Sequence, residues 1–256
     1  MLLILMYHRA VAGPYGNSVP TLRAHFAHLR TAYPIVLPGE SLAANRLNVC
    51  LTFDDAFVDF HAFVFPLLRE CSLRAVLSVP TGFIIPESHL SVEERLSVAP
   101  EEAMRGRMFQ LKAPFCSWSE LREMADSGLV SIASHSHQHV DLTRSAADLE
   151  FEVLQSKRVL ERQLGREVST FVYPFGRTDA RAHALVKRHY PFAMRIGGAL
   201  NAGWTPSRQP LSRVGADGVR DIRQLLRWDR LVACQLKGLA NSLRAAWGKW
   251  EKKKLP

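Results

Sequence analysis

The sequence predicts an α/β protein whose parallel sheet closes, or nearly closes, into a barrel. Short apolar runs alternate along the chain with segments whose apolar residues recur at helical spacing, the order of a parallel β/α fold. The length of 256 residues accommodates one barrel-sized domain without a split into two. Hydrophobic residues make up 47% of the chain and charged residues 22%, which excludes a disordered chain. One run, Val49-Cys50-Leu51-Thr52-Phe53, ends abruptly in Asp54-Asp55, and the carboxyl end of a buried strand is where such folds do chemistry.

Leu2 to Tyr7 reads as the first strand, delivering His8 to its end. Residues 13–20 carry Gly13, Pro14, Gly16, Asn17 and Pro20, a loop by turn chemistry. From Thr21 the spacing of Leu22, Phe26 and Leu29 predicts a helix, and the apolar residues Ile35 to Leu37 predict a strand. After the Asp-Asp strand, helical spacing resumes over residues 58–70, and Leu73 to Val79 is a strand stopped by Pro80. Residues 84–117 show mixed charge and little periodicity, and are expected to be a long insertion forming a lid or groove wall. A helix begins near Ser119, its expected cap, and ends at Gly128; Leu129 to Ala133 is a strand. Residues 145–164 form the clearest helix, closed by Gly165. Strands at Val168 to Tyr173 and Phe192 to Ile196 flank a helix over residues 179–189.

Two stretches carry chemistry. Adjacent carboxylates are disfavoured unless their duties differ, so one of Asp54 and Asp55 would bind a cation while the other stays free as a base. In Ser134-His135-Ser136-His137-Gln138-His139, two imidazoles four apart share one face of a helical turn and suit Zn²⁺ at roughly 2.0–2.1 Å. On such a turn His137 points about 160° away, outside the ligand set. Ser134 and Ser136 are expected to orient the loop by hydrogen bonding rather than to act as nucleophiles, since no Gly-x-Ser-x-Gly context surrounds them.

Together with Tyr173-Pro174-Phe175-Gly176, these segments resemble, in order and approximate distance, the first three motifs of the NodB-type polysaccharide deacetylases, also called carbohydrate esterase family 4. The resemblance covers about residues 1–215 and implies a distorted (β/α)7 barrel. It implies Asp55, His135 and His139 as metal ligands, Asp54 as general base, the Phe175 N–H facing a developing oxyanion, and Tyr173 and Pro174 against substrate. Tyr7-His8 is similar to the start of the exopolysaccharide N-deacetylase branch, where that histidine is the acid; His8 should then face the substrate from the side opposite Asp54. No late Leu-x-His motif is present, consistent with that branch. Two departures stand out. Val172 occupies the place of a common motif-three arginine, leaving Arg195 or Arg213 as candidates to brace Asp54, and Ala56 occupies the place of a glycine.

The implied function is metal-dependent removal of N-acetyl groups from amino sugars of a polysaccharide or lipid-linked saccharide. A deformylase or O-deacetylase on the same scaffold, and an inactive carbohydrate-binding module, are the alternatives. Residues 1–218 form the expected barrel domain and 219–256 a basic amphipathic helical tail. In residues 220–256 ten Lys or Arg face three acids, in a chain whose net charge is +9. Leu225, Trp228, Val232, Leu236, Leu239, Leu243, Trp247 and Trp250 mark one helical stripe there. Basic residues interleaved with Trp suit an anionic membrane surface, and a stripe packed on the barrel is the alternative. No nucleic-acid motif accompanies the charge. The four cysteines show no paired spacing and read as free thiols. With no signal peptide and no run of ~20 apolar residues, the expected location is cytoplasmic, or peripheral at the inner face of a membrane.

Overall fold

Six consecutive buried residues, Leu2–Tyr7, form β1, the reference strand of a closed parallel barrel. The computed structural model describes residues 1–13, 15–204 and 209–238. Seven strands run around the barrel in sequence order: β1, β2 (Asn48–Phe53), β3 (Ala75–Val79), β4 (Val130–Ser134), β5 (Thr170–Val172), β6 (Phe192–Ile196) and β7 (Leu211–Gly215). Closure comes from β1 pairing with β7 at Leu5 with Val214 and Met6 with Gly215. The ring is uneven, because β4 meets β5 through a single pair, Ser134 with Phe171, whereas β1 and β2 pair over six residues. Strands buried on both faces explain why they read as continuous apolar runs rather than alternating ones.

Outside the strands lie α1 (Val19–Ala32), α2 (Phe65–Cys71), α6 (Trp118–Asp126), α7 (Ser156–Leu164) and α8 (Ala180–His189), with short helices α3 (Val92–Leu96), α4 (Pro100–Ala103) and α5 (Met108–Lys112) in the insertion. Helices α2 and α7 each open from a π-helical turn, Phe60–Val64 and Phe151–Gln155. Ser117, not Ser119, caps α6, in a reciprocal box with Glu120. Gly165 ends α7 at φ +64°, the left-handed position that favours glycine.

Two expectations fail. Ile35 to Leu37 is not a strand: Pro34 and Pro38 bracket it, and it makes only an isolated bridge from Ile35 to Val49. The seventh strand is instead β7, where Arg213 interrupts an otherwise short apolar run. The tail stripe from Leu239 to Trp250 lies outside the described residues. Among those described, no helix is long and apolar enough to cross a membrane, and all four cysteines are free.

The insertion is fastened at its base. Cys116 N–H donates to the Ala56 carbonyl at 2.7 Å and Val58 N–H to Pro114 at 2.8 Å, so its end pairs with the backbone directly after Asp55. Arg95, 3% exposed, donates to the carbonyls of Ala113 and Phe115 and to both oxygens of Glu120, each within 2.9 Å. Arg95→Met should leave two carbonyls without a donor and Glu120 without its cation, with only the Ser117 N–H still bonded to it, and destabilise the fold by about 3–5 kcal/mol, read as a lowered midpoint in urea unfolding.

Candidate active site

The barrel's carboxyl end gathers the chemistry-bearing residues. β2 stops at Phe53, and Asp54 N–H extends the β1 ladder to the Tyr7 carbonyl at 2.9 Å. Asp55 (φ +69°) and Ala56 (φ +54°) then both take left-handed backbone, a turn that explains why glycine suits position 56 and that costs an alanine about 1 kcal/mol.

The two carboxylates have different neighbours. Asp54, 3% exposed, accepts both terminal nitrogens of Arg213 at 2.7 Å, one on each oxygen, and the Ser78 hydroxyl at 2.7 Å. Arg213, fully buried on β7, also reaches the Thr52 hydroxyl at 3.1 Å. Burial alone raises the Asp54 pKa, but the guanidinium outweighs it and holds the carboxyl well below its ordinary range. Of the two candidate arginines, then, Arg213 braces Asp54.

Asp55 turns instead toward histidines. Its Oδ1 is buried and without a hydrogen-bond partner, 3.5 Å from His135 Nε2 and 3.3 Å from His139 Nε2. His135 Nδ1 donates to the Val172 carbonyl at 2.8 Å, which leaves its Nε2 lone pair facing the carboxylate. Ligand atoms of all three residues lie within 4.8 Å of one another. An orphaned carboxylate oxygen opposite imidazole lone pairs is a donor set that a divalent cation satisfies, so these residues fit a metal site of the two-His, one-carboxylate type.

The histidines are not on a helical turn. Residues 135–140 form an irregular loop, with Ser136 at φ +63° and His139 at φ +52°. Ser136 Oγ accepts the His139 N–H at 3.0 Å within the loop, whereas Ser134, still on β4, meets Ser156 Oγ of α7 at 2.7 Å. Buried Glu152, on the π-helical turn before α7, accepts the N–H groups of His137 and Gln138 at 2.9 and 2.8 Å and so fixes the loop. His137 pairs with Thr81 at 2.8 Å, outside the ligand cluster.

His8 stands at the end of β1, its Nε2 3.8 Å from Asp54 Oδ2. The two are neighbours rather than opposed, contrary to the expectation. Asp217, after β7, accepts the His8 backbone N–H at 3.0 Å and pairs with Nδ1 at 2.5 Å. Burial lowers the His8 pKa, yet the Asp217 hydrogen bond and the charges of Asp54, Asp55 and Asp217 outweigh it and raise the value to about 9. Nothing local in the sequence marks Asp217, 209 positions from its partner.

The Tyr-Pro-Phe-Gly turn crosses the mouth with Phe175 at φ +57°. The Phe175 ring is 56% exposed and lies 4.8 Å from the His139 ring. Gly176 permits close approach of β6, since a Cβ there would lie 2.6 Å from Ile196. Tyr173 and Pro174 are buried, the Tyr173 hydroxyl bonded to His183 Nδ1 at 2.9 Å. Their side chains therefore help to hold the turn beneath the exposed Phe175.

A family model described as polysaccharide deacetylase matches residues 43–190, more than half of the chain. The chain belongs to the polysaccharide deacetylase family. Its relatives include a Bacillus subtilis (strain 168) protein named "Putative polysaccharide deacetylase YxkH", 24% identical over 187 residues that cover 68% of this chain and 56% of that protein. The chain thus spans little more than half the length of that relative. Among solved structures, the fold is similar to BC0361, a polysaccharide deacetylase from Bacillus cereus (TM-score 0.70, 22% identity, 88% of this chain and 67% of that one). It is likewise similar to IcaB from Ammonifex degensii (TM-score 0.65, 17% identity, 91% and 95%).

Two outcomes test this geometry without reference to catalysis. Calorimetric titration with Zn²⁺ should show one site, lost in His139→Ala and retained in Asp54→Asn. In the metal-free protein, NMR titration of the His8 ring should give a midpoint near 9, moving to lower pH in Asp217→Asn because the anion that favours the imidazolium is gone.

Proposed function

We propose that the chain hydrolyses the N-acetyl group of amino sugars in a polysaccharide or lipid-linked saccharide, using one divalent metal, Zn²⁺, held by Asp55, His135 and His139. The observation that carries this reading is the separation of the paired carboxylates: Asp54 is committed to Arg213 and Asp55 to two imidazoles. When bound, the cation supplies a Lewis acid that polarises the acetyl carbonyl and makes water more acidic.

The chain's own groups do the rest. Asp54, held ionised at neutral pH by Arg213, takes the proton of the attacking water. Its low proton affinity makes it a modest base, so deprotonation relies on the water's acidity as much as on the carboxylate. The Phe175 N–H in the motif-three turn faces the oxyanion, an interaction worth about 2.7–4 kcal/mol in other enzymes. His8, protonated below about 9, gives its proton to the departing amine. Attacking oxygen and leaving nitrogen sit on one carbon, so an acid and a base side by side can serve both. The insertion over residues 84–117, pinned beside Asp55, forms a wall of the groove.

Incubation with N-acetylglucosamine oligomers should release acetate, with release abolished by chelator and restored by Zn²⁺. Formate from formylated sugars, or acetate from O-acetylated ones only, would redirect the acyl assignment, and metal binding without any release would support an inert binding module. Asp54→Asn should reduce kcat by about 10²–10⁴, the usual weight of a general base. His8→Ala should slow amide hydrolysis far more than hydrolysis of an activated acetate ester, whose leaving group needs no proton.

A further inference from the structure

Asp59 is a fully buried carboxylate directly ahead of the π-helical turn Phe60–Val64. An aspartate at a helix start ordinarily accepts the helix's own N–H groups, but Asp59 makes no such cap. Its side chain reaches instead to the chain leaving β1, where Oδ2 accepts the Arg9 Nε–H at 2.8 Å and the Ala10 N–H at 2.7 Å. Oδ1 is buried with no hydrogen-bond partner among the described residues. Where stability alone decides, an apolar pair in place of Arg9 and Asp59 would cost less than a buried carboxylate with one oxygen unpaired.

The residues that Asp59 fixes are the two that follow His8. Pairing of β1 with β2 ends at Tyr7 opposite Phe53, so His8 stands beyond the ladder. Asp217 takes its N–H and its Nδ1. On the carboxyl side of His8 the chain is fixed at Arg9 and Ala10, by Asp59 and by the Asn17 N–H, which donates to the Arg9 carbonyl at 3.0 Å. The Arg9 guanidinium also lies over the Phe57 ring, 4.1 Å from its centroid, and that ring is 4.8 Å from the ring of Phe115 at the base of the insertion. The chain after His8 is thereby tied to the chain after Asp54 and Asp55. This tie bears on chemistry because proton transfer needs heavy atoms within about 2.6–3.2 Å, and a misplacement of about 1 Å can cost about 10²-fold in rate.

We infer that Asp59 is a positioning residue for His8: by anchoring residues 9 and 10 it keeps the imidazole seated on Asp217 and beside Asp54. Asp59 is buried and does not touch substrate; it acts through the backbone that carries His8. Its kinetic consequence rests on the reading of His8 as the acid of N-acetyl hydrolysis.

The test is the double variant Arg9→Met with Asp59→Leu, which replaces the ion pair by apolar side chains and so avoids an uncompensated buried charge. Its circular dichroism and Zn²⁺ titration should match those of the wild type. The kcat for acetate release from N-acetylglucosamine oligomers should fall about 10–100-fold with KM unchanged. Hydrolysis of an activated acetate ester, whose leaving group needs no proton, should keep its rate. Asp59→Asn retains an oxygen for the Ala10 N–H and should recover most of the loss. Amide and ester rates that fall together, or an unchanged amide rate, would overturn the inference, since a purely structural ion pair gives one or the other. Crystal structures of wild type and double variant supply a readout that needs no turnover: His8 should leave Asp217 in the variant, and an unmoved His8 overturns the inference. Absence of acetate release from the wild type would fell the deacetylase reading, and the seating of His8 in the two crystals would then decide the positioning role by itself.

Discussion

The buried ion pair between Arg213 and Asp54 is the constraint on which the site depends. Both groups are out of water, and the guanidinium fork meets the two carboxylate oxygens at equal distances of 2.7 Å. Removal of either partner from such a pair typically costs about 3–5 kcal/mol, because the survivor is left as an uncompensated buried charge. The pair also ties β2 to β7, two strands separated in the barrel only by β1, at the ring's closure. Fold and site are therefore stabilised by the same contact.

That contact divides the labour of two adjacent acids. Asp54 cannot turn toward the histidines without abandoning Arg213 and Ser78, so the orphaned oxygen opposite His135 and His139 belongs to Asp55. A second division follows at His8, the proposed acid. Asp217 gives His8 a counter-charge that, with those of Asp54 and Asp55, raises the pKa of a partly buried imidazole against the effect of burial. Each group is held by a different element: His8 by β1, the carboxylates by the end of β2, the histidines by the loop after β4, the Phe175 turn by β5, Arg213 by β7 and Asp217 just after it. Assembly from separate strand ends lets the positions be set by a packed core rather than by a mobile loop.

Much of this was legible in the sequence, for physical reasons. Buried parallel strands are continuous apolar runs, and abrupt polar ends such as Phe53-Asp54-Asp55 mark where they leave the core. Ile35 to Leu37 shared the run but not the surroundings, since prolines on both sides prevent a ladder. β7 was hidden because its central Arg213 reads as a surface residue until a carboxylate from a distant strand neutralises it. Asp217 lies in a Gly-flanked turn with no periodicity, and its partner is fixed only by closure of the barrel. The structure does bring His135 and His139 together beside Asp55, but not by the local geometry their spacing suggested: the four-residue interval is met by two left-handed residues, not by a helix.

The division between the carboxylates is tested most directly by a crystal structure of the zinc-loaded protein, with the ion located by anomalous scattering. The account predicts one ion ligated by Asp55, His135 and His139, with Asp54 outside its coordination shell and still paired to Arg213. An ion ligated by Asp54, with the Arg213 pair broken, would contradict it.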